Sequence, residues 1–287
     1  MQGTGLSFRS VALRRRFRRP SAEGGTETVI QDGSHFYRVH TYLASAPINI
    51  LRGGRFEFLV VGAGAGGGRA GSRGAAGGGA GGFRKWVAGE ADNSEAGPLF
   101  LPVGAQSVEV GIGGAGATST TGQSDPGEHS SVSNIISEGG GRAPGSQITD
   151  PVDKDGASGG GGNQEQENFE GGSGIPGQGH DGGDGTVNQS GGGGGGAGGP
   201  GGDAKFPDNI GGDGGLGLPS AISGASTIYA PGGRGTGSSV NGAVAPGYGN
   251  PGSGGNGNNG GSGAAGADGI VILRYRITEA EYLNEVA

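Results

Sequence analysis

The string Gly191-Gly-Gly-Gly-Gly-Gly196 decides how this chain folds, because it is the densest part of a region, residues 62–269, that holds 70 of the chain's 77 glycines. Glycine has no side chain to bury and loses more backbone freedom on ordering than any other residue. A conventional core cannot hold such a region. Two outcomes are open to it: a disordered coil, or left-handed polyproline II threads packed side by side. An isolated thread has about three residues per turn and no internal hydrogen bonds, so its N–H and C=O groups point outward. Where the Cβ is missing, neighbouring threads approach closely enough for those groups to pair. Each pair contributes a net ~1 kcal/mol, against roughly 1–2 kcal/mol to order each residue. That near-balance calls for a firm frame to start and close a bundle.

Segments fit to build such a frame flank and interrupt the glycines. His35-Phe-Tyr-Arg-Val-His-Thr-Tyr-Leu43 is dense in aromatic and β-branched residues and reads as a strand. Pro47-Ile-Asn-Ile-Leu51 reads as a second, and Gly53-Gly54 marks a turn. Arg55-Phe-Glu-Phe-Leu-Val-Val61 alternates and then becomes wholly apolar, as a central strand does, and runs directly into Gly62. The spacing predicts further strands over 106–112, with Val108, Val110 and Ile112 on one face, and over 131–136. Gly269-Ile-Val-Ile-Leu-Arg-Tyr-Arg-Ile277 is the strongest strand signal. After it, Thr278-Glu-Ala-Glu281 matches a capping box and predicts a short helix.

Between residues 139 and 269 the glycine strings are punctuated by short segments, at 147–155, 163–170, 204–210, 218–231 and 240–248, each with a proline, a charge cluster or an aromatic. The pattern predicts threads of similar length joined by turns at alternate ends; nine residues span about 28 Å. A structureless insert of this size inside a folded domain is unusual, and a strict collagen frame fails at Asn258.

Charge divides the chain. Its first 19 residues carry six arginines and no acid, +6 within a total of −7, which leaves −13 for the body. Arg14, Arg15, Arg16, Arg18 and Arg19 are therefore docking candidates toward an acidic partner surface, or else part of a solvated tail. No recognisable module points to nucleic acid. There is no cysteine and no run of about 18 apolar residues that spans a membrane, and the N-terminus lacks the apolar segment of a secretory signal.

Enzymatic constellations are poor. Gly62-Ala-Gly-Ala-Gly-Gly67 follows a strand as a dinucleotide fingerprint does, but glycine and alanine follow in place of the required amphipathic helix. His35, His40, His129 and His180 show no metal-site spacing. Asp181 and Asp184 sit among glycines as in calcium loops, or in a solvated acidic turn. Glu165, Glu167 and Glu170 read as an exposed loop or as an attraction for a basic partner. No cofactor is expected. Phe169, Phe206, Tyr229 and Tyr248 each occupy a separate segment between glycine strings, where little core exists to receive them. Aromatics on rigid turns are anchors for protein or sugar partners, or they cover the bundle's flank.

The ordered set Phe56-Glu-Phe-Leu-Val-Val-Gly-Ala-Gly-Ala-Gly-Gly-Gly68, Gly81-Gly-Phe-Arg84, Val108-Glu-Val-Gly-Ile-Gly-Gly-Ala-Gly116, residues 130–141, the glycine string 191–202 and Asp268-Gly-Ile-Val-Ile-Leu-Arg-Tyr275 resembles the glycine-rich domain of bacteriophage tail fibre and tail-tip proteins, over roughly residues 35–277. The resemblance implies a strand-framed polyglycine II bundle, a structural role in the virion beside other tail or head proteins, and a homo-oligomer, by analogy a trimer. In related tail adhesins the turns at one end of such a bundle contact the host surface. The alternative is a non-adhesive fibre, connecting or decoration protein.

The expected architecture is mainly β. A basic arm (1–34) precedes a small β-sandwich-like frame over about 35–61, 106–136 and 270–277. An inserted bundle of polyglycine and polyproline II helices fills about 62–105 and 139–269, and a short C-terminal helix fills 278–287.

Overall fold

Apolar runs flanked by glycine become the central strands, and the polar runs beside them become edges. The computed structural model describes residues 19–149, 151–164, 169–187 and 189–287. In chain order these form β1 (Ser21–Glu23), β2 (Thr26–Asp32), β3 (His35–Tyr42), β4 (Ile48–Arg52), β5 (Gly54–Val61), β6 (Arg69–Ala70), β7 (Phe83–Trp86), β8 (Leu99–Leu101), β9 (Gly104–Gln106), β10 (Val108–Glu109), β11 (Ser130–Val132), β12 (Ile135–Ser137), β13 (Leu218–Ser220), β14 (Thr227–Tyr229), β15 (Asn258–Asn259), β16 (Ile270–Ile277) and helix α1 (Glu279–Val286). The fold is mainly β.

An antiparallel sheet of order β2-β3-β16-β5-β7 forms the frame, with β8 paired to the start of β5. β5 and β16 are buried along most of their length because both their faces are covered, and their residues are apolar apart from Arg55, Glu57, Arg274 and Arg276. One face, with Phe56, Phe58, Leu273 and Tyr275, packs on the small sheets β1-β4-β9 and β10-β11-β12 through Ile48, Ile50, Val108 and Val132. The other face, with Val39, Leu59, Phe83 and Ile272, meets Ile222, Tyr229 and Ala230 at the β13–β14 hairpin.

Two buried cations fasten that hairpin. Arg274 donates from Nε to Glu57 (2.7 Å), from Nη2 to Asp32 (3.1 Å) and from Nη1 to the Ile222 carbonyl (3.4 Å), and lies 4.1 Å from the centre of the Tyr37 ring. Lys85 Nζ donates to Glu90 (2.8 Å) and to the Pro219 carbonyl (3.3 Å), while Glu90 accepts the Ala221 N–H (2.8 Å). A buried charge is tolerated only when paired in this way.

The glycine region is a bundle of extended threads. Gly62, Ala65 and Gly68 donate to the carbonyls of Gly82, Gly79 and Ala76, so every third residue of one thread reaches the same antiparallel neighbour. That period is the three-residue turn of polyproline II. Ala63 and Gly66 donate to Glu128 and Asp125, while Gly64 and Gly67 donate to Ala267 and Ala264. The same thread accepts from Gly140 through Ala63, from Gly114 and Ala117, and from Gly255 and Asn258. It therefore bonds to six neighbours. The thread 74–82 is served likewise by threads that include Gly192, Gly255, Gly141, Gly161 and Gly233.

At such spacing a Cβ has no room. One added at Gly64 would overlap the Ser253 carbonyl oxygen, and one at Gly194 that of Gly78. Around the bundle's flank, where a neighbouring thread is missing, carboxylates take the free donors. Asp155 accepts from Ser173 N (2.7 Å), Asp181 from Gly174 N (2.7 Å), Asp184 from Gly171 N (2.9 Å), Asp213 from Ala243 N (2.6 Å) and Asp268 from Gly113 N (2.8 Å). Asp181 and Asp184 thus serve as caps on the main chain.

Several expectations are corrected. The arm is not 34 residues long: β1 and β2 lie within it, and β2 is an edge strand whose polar, half-exposed residues lack an apolar alternation. The span 62–105 is not all bundle, since β7, β8 and β9 belong to the frame sheets. Residues 131–136 bend into the β11–β12 hairpin, with Ser133 at φ 54°. Ile112 is 64% exposed, because at Gly111 the chain leaves the two-residue period of a strand for a three-residue one, burying Gly111, Gly114 and Ala117. The predicted helix forms with its box closed: Glu281 N donates to Thr278 Oγ1 (3.1 Å) and Thr278 N to Glu281 (2.6 Å).

Gly194→Ala is expected to lower stability by about 2 kcal/mol or more, as overpacking against main chain does. Gly97→Ala, at a site with nothing within 4 Å of the added atom, is expected to stay within about 0.5 kcal/mol; urea unfolding of the two variants checks the contrast. His40 is fully buried, bonded through Nδ1 to the Gly24 carbonyl (2.8 Å), with Nε2 unpartnered and Glu27 and Arg38 nearby. Burial holds its pKa below 6.5, so the unfolded chain takes up the proton first and stability falls as pH drops below that value. The melting temperature should decline from about pH 7 to about pH 5, and less steeply in His40→Gln.

Candidate functional site

Where each turn lies follows from the thread register. Gly62 follows β5, Gly82 precedes β7, Ala230 follows β14 and Gly269 precedes β16, so these thread ends abut the frame. Their opposite ends, at Gly68, Gly74, Thr236 and Ser262, lead into turns remote from the sheet. The distal end therefore collects the turns at 69–73, 118–123, 205–210, 237–241 and 258–262, and the place where Thr186 bonds to Ser190. At the other pole, β16 runs from Ile270 opposite Val61 beside the bundle to Ile277 opposite Phe36 at the far edge. There α1 packs Tyr282 on Phe36 (4.8 Å between ring centres), and Arg38 donates to Glu285 (2.6 Å).

The predicted aromatics divide between the two ends. Phe206 stands on the distal turn closed by Lys205 and Ile210, which bond each other in both directions (2.9 and 3.2 Å), and it is 72% exposed. Val187 and Val240, on neighbouring distal turns, are also exposed. Phe169 is half-buried at the distal start of its thread. It lines an open cleft of about 790 Å³ with Lys154, Asp155, Glu170 and Val187. Burial pushes the Lys154 ammonium down, and Asp155 and Glu170 act in the opposite sense.

Tyr229 and Tyr248 lie at the frame end instead. Tyr229 is 3% exposed and belongs to the core on the sheet's second face, so its expected exposure is corrected: the β13–β14 hairpin supplies the apolar surface that the glycine strings do not. Tyr248 is half-buried, and its hydroxyl accepts from Asn256 N (3.3 Å). The four residues therefore do not form one site.

Among the docking arginines, Arg14, Arg15, Arg16 and Arg18 lie outside the described residues, as do Glu165 and Glu167. Arg19 is exposed at the frame's far edge, where its carbonyl accepts from Arg52 Nη1 (3.0 Å).

The sequence reading missed a second distal feature. Arg234, Thr236, Asn241, Asn256, Asn258 and Ser262 line an open cleft of about 330 Å³. The dense asparagines of Asn256-Gly-Asn-Asn259 and a lone arginine inside Gly-Gly-Arg234-Gly were its only trace in the sequence. No group of three His, Asp or Glu fit to hold a metal occurs among the described residues.

The bundle, its frame and their order along the chain match a family model for a glycine-rich domain over residues 43–276. The chain belongs to this glycine-rich domain family. The family match begins after β3, although β3 pairs with β16 along its whole length and so completes the domain's sheet. Comparison with curated proteins finds no match. Among the described residues of this glycine-rich domain protein, no helix is long and apolar enough to cross a membrane.

Phe206→Ala is expected to leave stability within about 0.5 kcal/mol. Tyr229→Ala is expected to cost about 3 kcal/mol or more. Thermal or urea unfolding of the pair tests the assignment of one to surface and the other to core.

Proposed function

We propose that this protein is a non-enzymatic virion component, a bacteriophage tail-fibre or tail-tip protein whose distal turns contribute to host attachment. The observation that supports the reading is the polarity of the molecule. The root of the arginine arm and helix α1 lie at one pole, the bundle's turns at the other, and stiff threads separate them. A thread of seven residues spans about 22 Å with its donors and acceptors committed to neighbours. Side chains at the distal turns are thus held on a rigid support and have no core to enter, which is how loops on a scaffold serve recognition. Phe206 is the foremost of them.

The pole that carries Arg19 and α1 is suited to docking. Leu283 and Val286 are both exposed, one turn apart on α1, and Arg19 shares a cleft with Glu281 and Ile277 at the same end of the frame. Other tail or head proteins of the particle are the partners this reading assigns to that pole.

Particles in which residues 205–210 are replaced by a glycine-serine linker are expected to assemble normally and to adsorb to host cells at least about tenfold more slowly, the loss that follows from removing one anchor of about 1.4 kcal/mol. Unchanged adsorption removes the attachment role and leaves a structural fibre or decoration protein.

A further inference from the structure

We propose that the distal cleft around Arg234 is a binding site for a carboxylate-bearing sugar, a hexuronate or similar acidic unit of a surface glycan. The link to the host rests on the attachment reading above; the site itself rests on four features of the cleft.

The first is an arginine without work inside the fold. Among the described residues the buried Arg234 Nε has no acceptor, and the side chain's hydrogen bond is a long one, from Nη1 to the Gly242 carbonyl at 3.4 Å. A guanidinium offers five donors in a planar fork suited to a carboxylate. The rest of the side chain is half-exposed, but a buried Nε–H left unmet is costly to the fold. The fully buried cations Arg274 and Lys85 are paired with Glu57 and Glu90; the half-buried Arg69 also has an unmet Nε, but its Nη1 donates to the Thr118 carbonyl at 2.7 Å, a closer bond than any Arg234 makes from its side chain.

The second feature is the absence of acid. Among the described residues the lining holds no Asp or Glu, although the body of the chain is strongly acidic. Among them Arg234 is the one charged residue of that lining, and the nearby Asp213 is engaged by Ala243 N (2.6 Å).

The third is its amide and hydroxyl surround. Asn259 and Thr236 are spent on each other (2.7 Å) and on main chain, which stiffens the wall. Asn241 is exposed and makes no hydrogen bond among the described residues, and Asn256 offers its Nδ2 because its Oδ1 is the side-chain atom engaged, by Arg234 N (2.9 Å). Ser262 is exposed at the rim. Such groups match the hydroxyls of a sugar ring. No aromatic platform lines the cleft, so stacking of a neutral pyranose is not provided for. The fourth is size. A volume of about 330 Å³ lies at the small end of ligand clefts and suits one sugar unit rather than an oligosaccharide.

The test titrates the purified full chain with glucuronate, with glucose and with inorganic phosphate, followed by calorimetry or NMR. Saturable glucuronate binding is expected, with none by glucose at the same concentrations. Arg234→Met should weaken it at least about tenfold, the loss of one charge-assisted pair, while its melting temperature stays level or rises because an unmet buried donor is removed. Asn241→Ala, which breaks no hydrogen bond among the described residues, should weaken glucuronate binding without moving the melting temperature.

The assignment is overturned by glucose binding as tightly as glucuronate, by full binding in Arg234→Met or Asn241→Ala, by no binding at all, or by phosphate displacing glucuronate at equal concentration, which would mean that the cleft reads charge alone. Glucuronate binding together with adsorption unaffected by the 205–210 replacement keeps the site and removes the attachment role. Slowed adsorption without glucuronate binding does the reverse.

Discussion

Backbone amides that satisfy one another between threads, at positions where a single Cβ would displace the partner's carbonyl oxygen, are the constraint on which the structure depends. The hydrogen bonds at Gly62, Ala65 and Gly68 show its geometry: three residues per turn send successive donors in three directions, so a thread is satisfied only inside a two-dimensional array. Such an array has edges on all sides. The edge donors are met by carboxylates, among them Asp155, Asp181, Asp184, Asp213 and Asp268. The acidity of the body is thereby a structural property of the bundle, since each anion receives a charge-assisted hydrogen bond from an amide that would otherwise rely on water.

A bundle with so little side-chain burial contributes almost nothing to its own nucleation, and the sheet supplies that. β5, β7, β14 and β16 join threads without an intervening loop, so strand pairing fixes the spacing and register of the threads that adjoin them. The sheet's second face is closed by the β13–β14 hairpin, which comes from the midst of the glycine region and is held by Arg274 and Lys85. Frame and bundle therefore stabilise each other. Removing the hairpin would bare one face of the central sheet.

The same economy shapes the distal end. Threads without side chains leave turn residues nothing to pack against, so Phe206, Val187 and Val240 stay in solvent, and the cleft at Arg234 is walled by amides rather than by a hydrophobic lining. A stiff support that carries variable turns separates the demands of stability from those of recognition, because changes in the turns leave the thread contacts untouched.

Composition and period by themselves determined much of this. The glycine strings exclude a side-chain core, the apolar runs at 55–61 and 269–277 announce central strands, and the capping box at Thr278 forms as read. Each of these is a local property, set by the residue and its near neighbours. What tertiary structure alone decided is which surfaces meet. β2 is polar and became a strand because β3 offered it an edge; Tyr229 looked like a turn aromatic and was drawn into the core that the sheet's second face required. The cleft at Arg234 gathers residues from the ends of separate threads, and thread order is encoded in no single segment. A glycine string carries no side-chain information about its neighbours, so their identity emerges only when the backbone hydrogen bonds of the whole array are satisfied together.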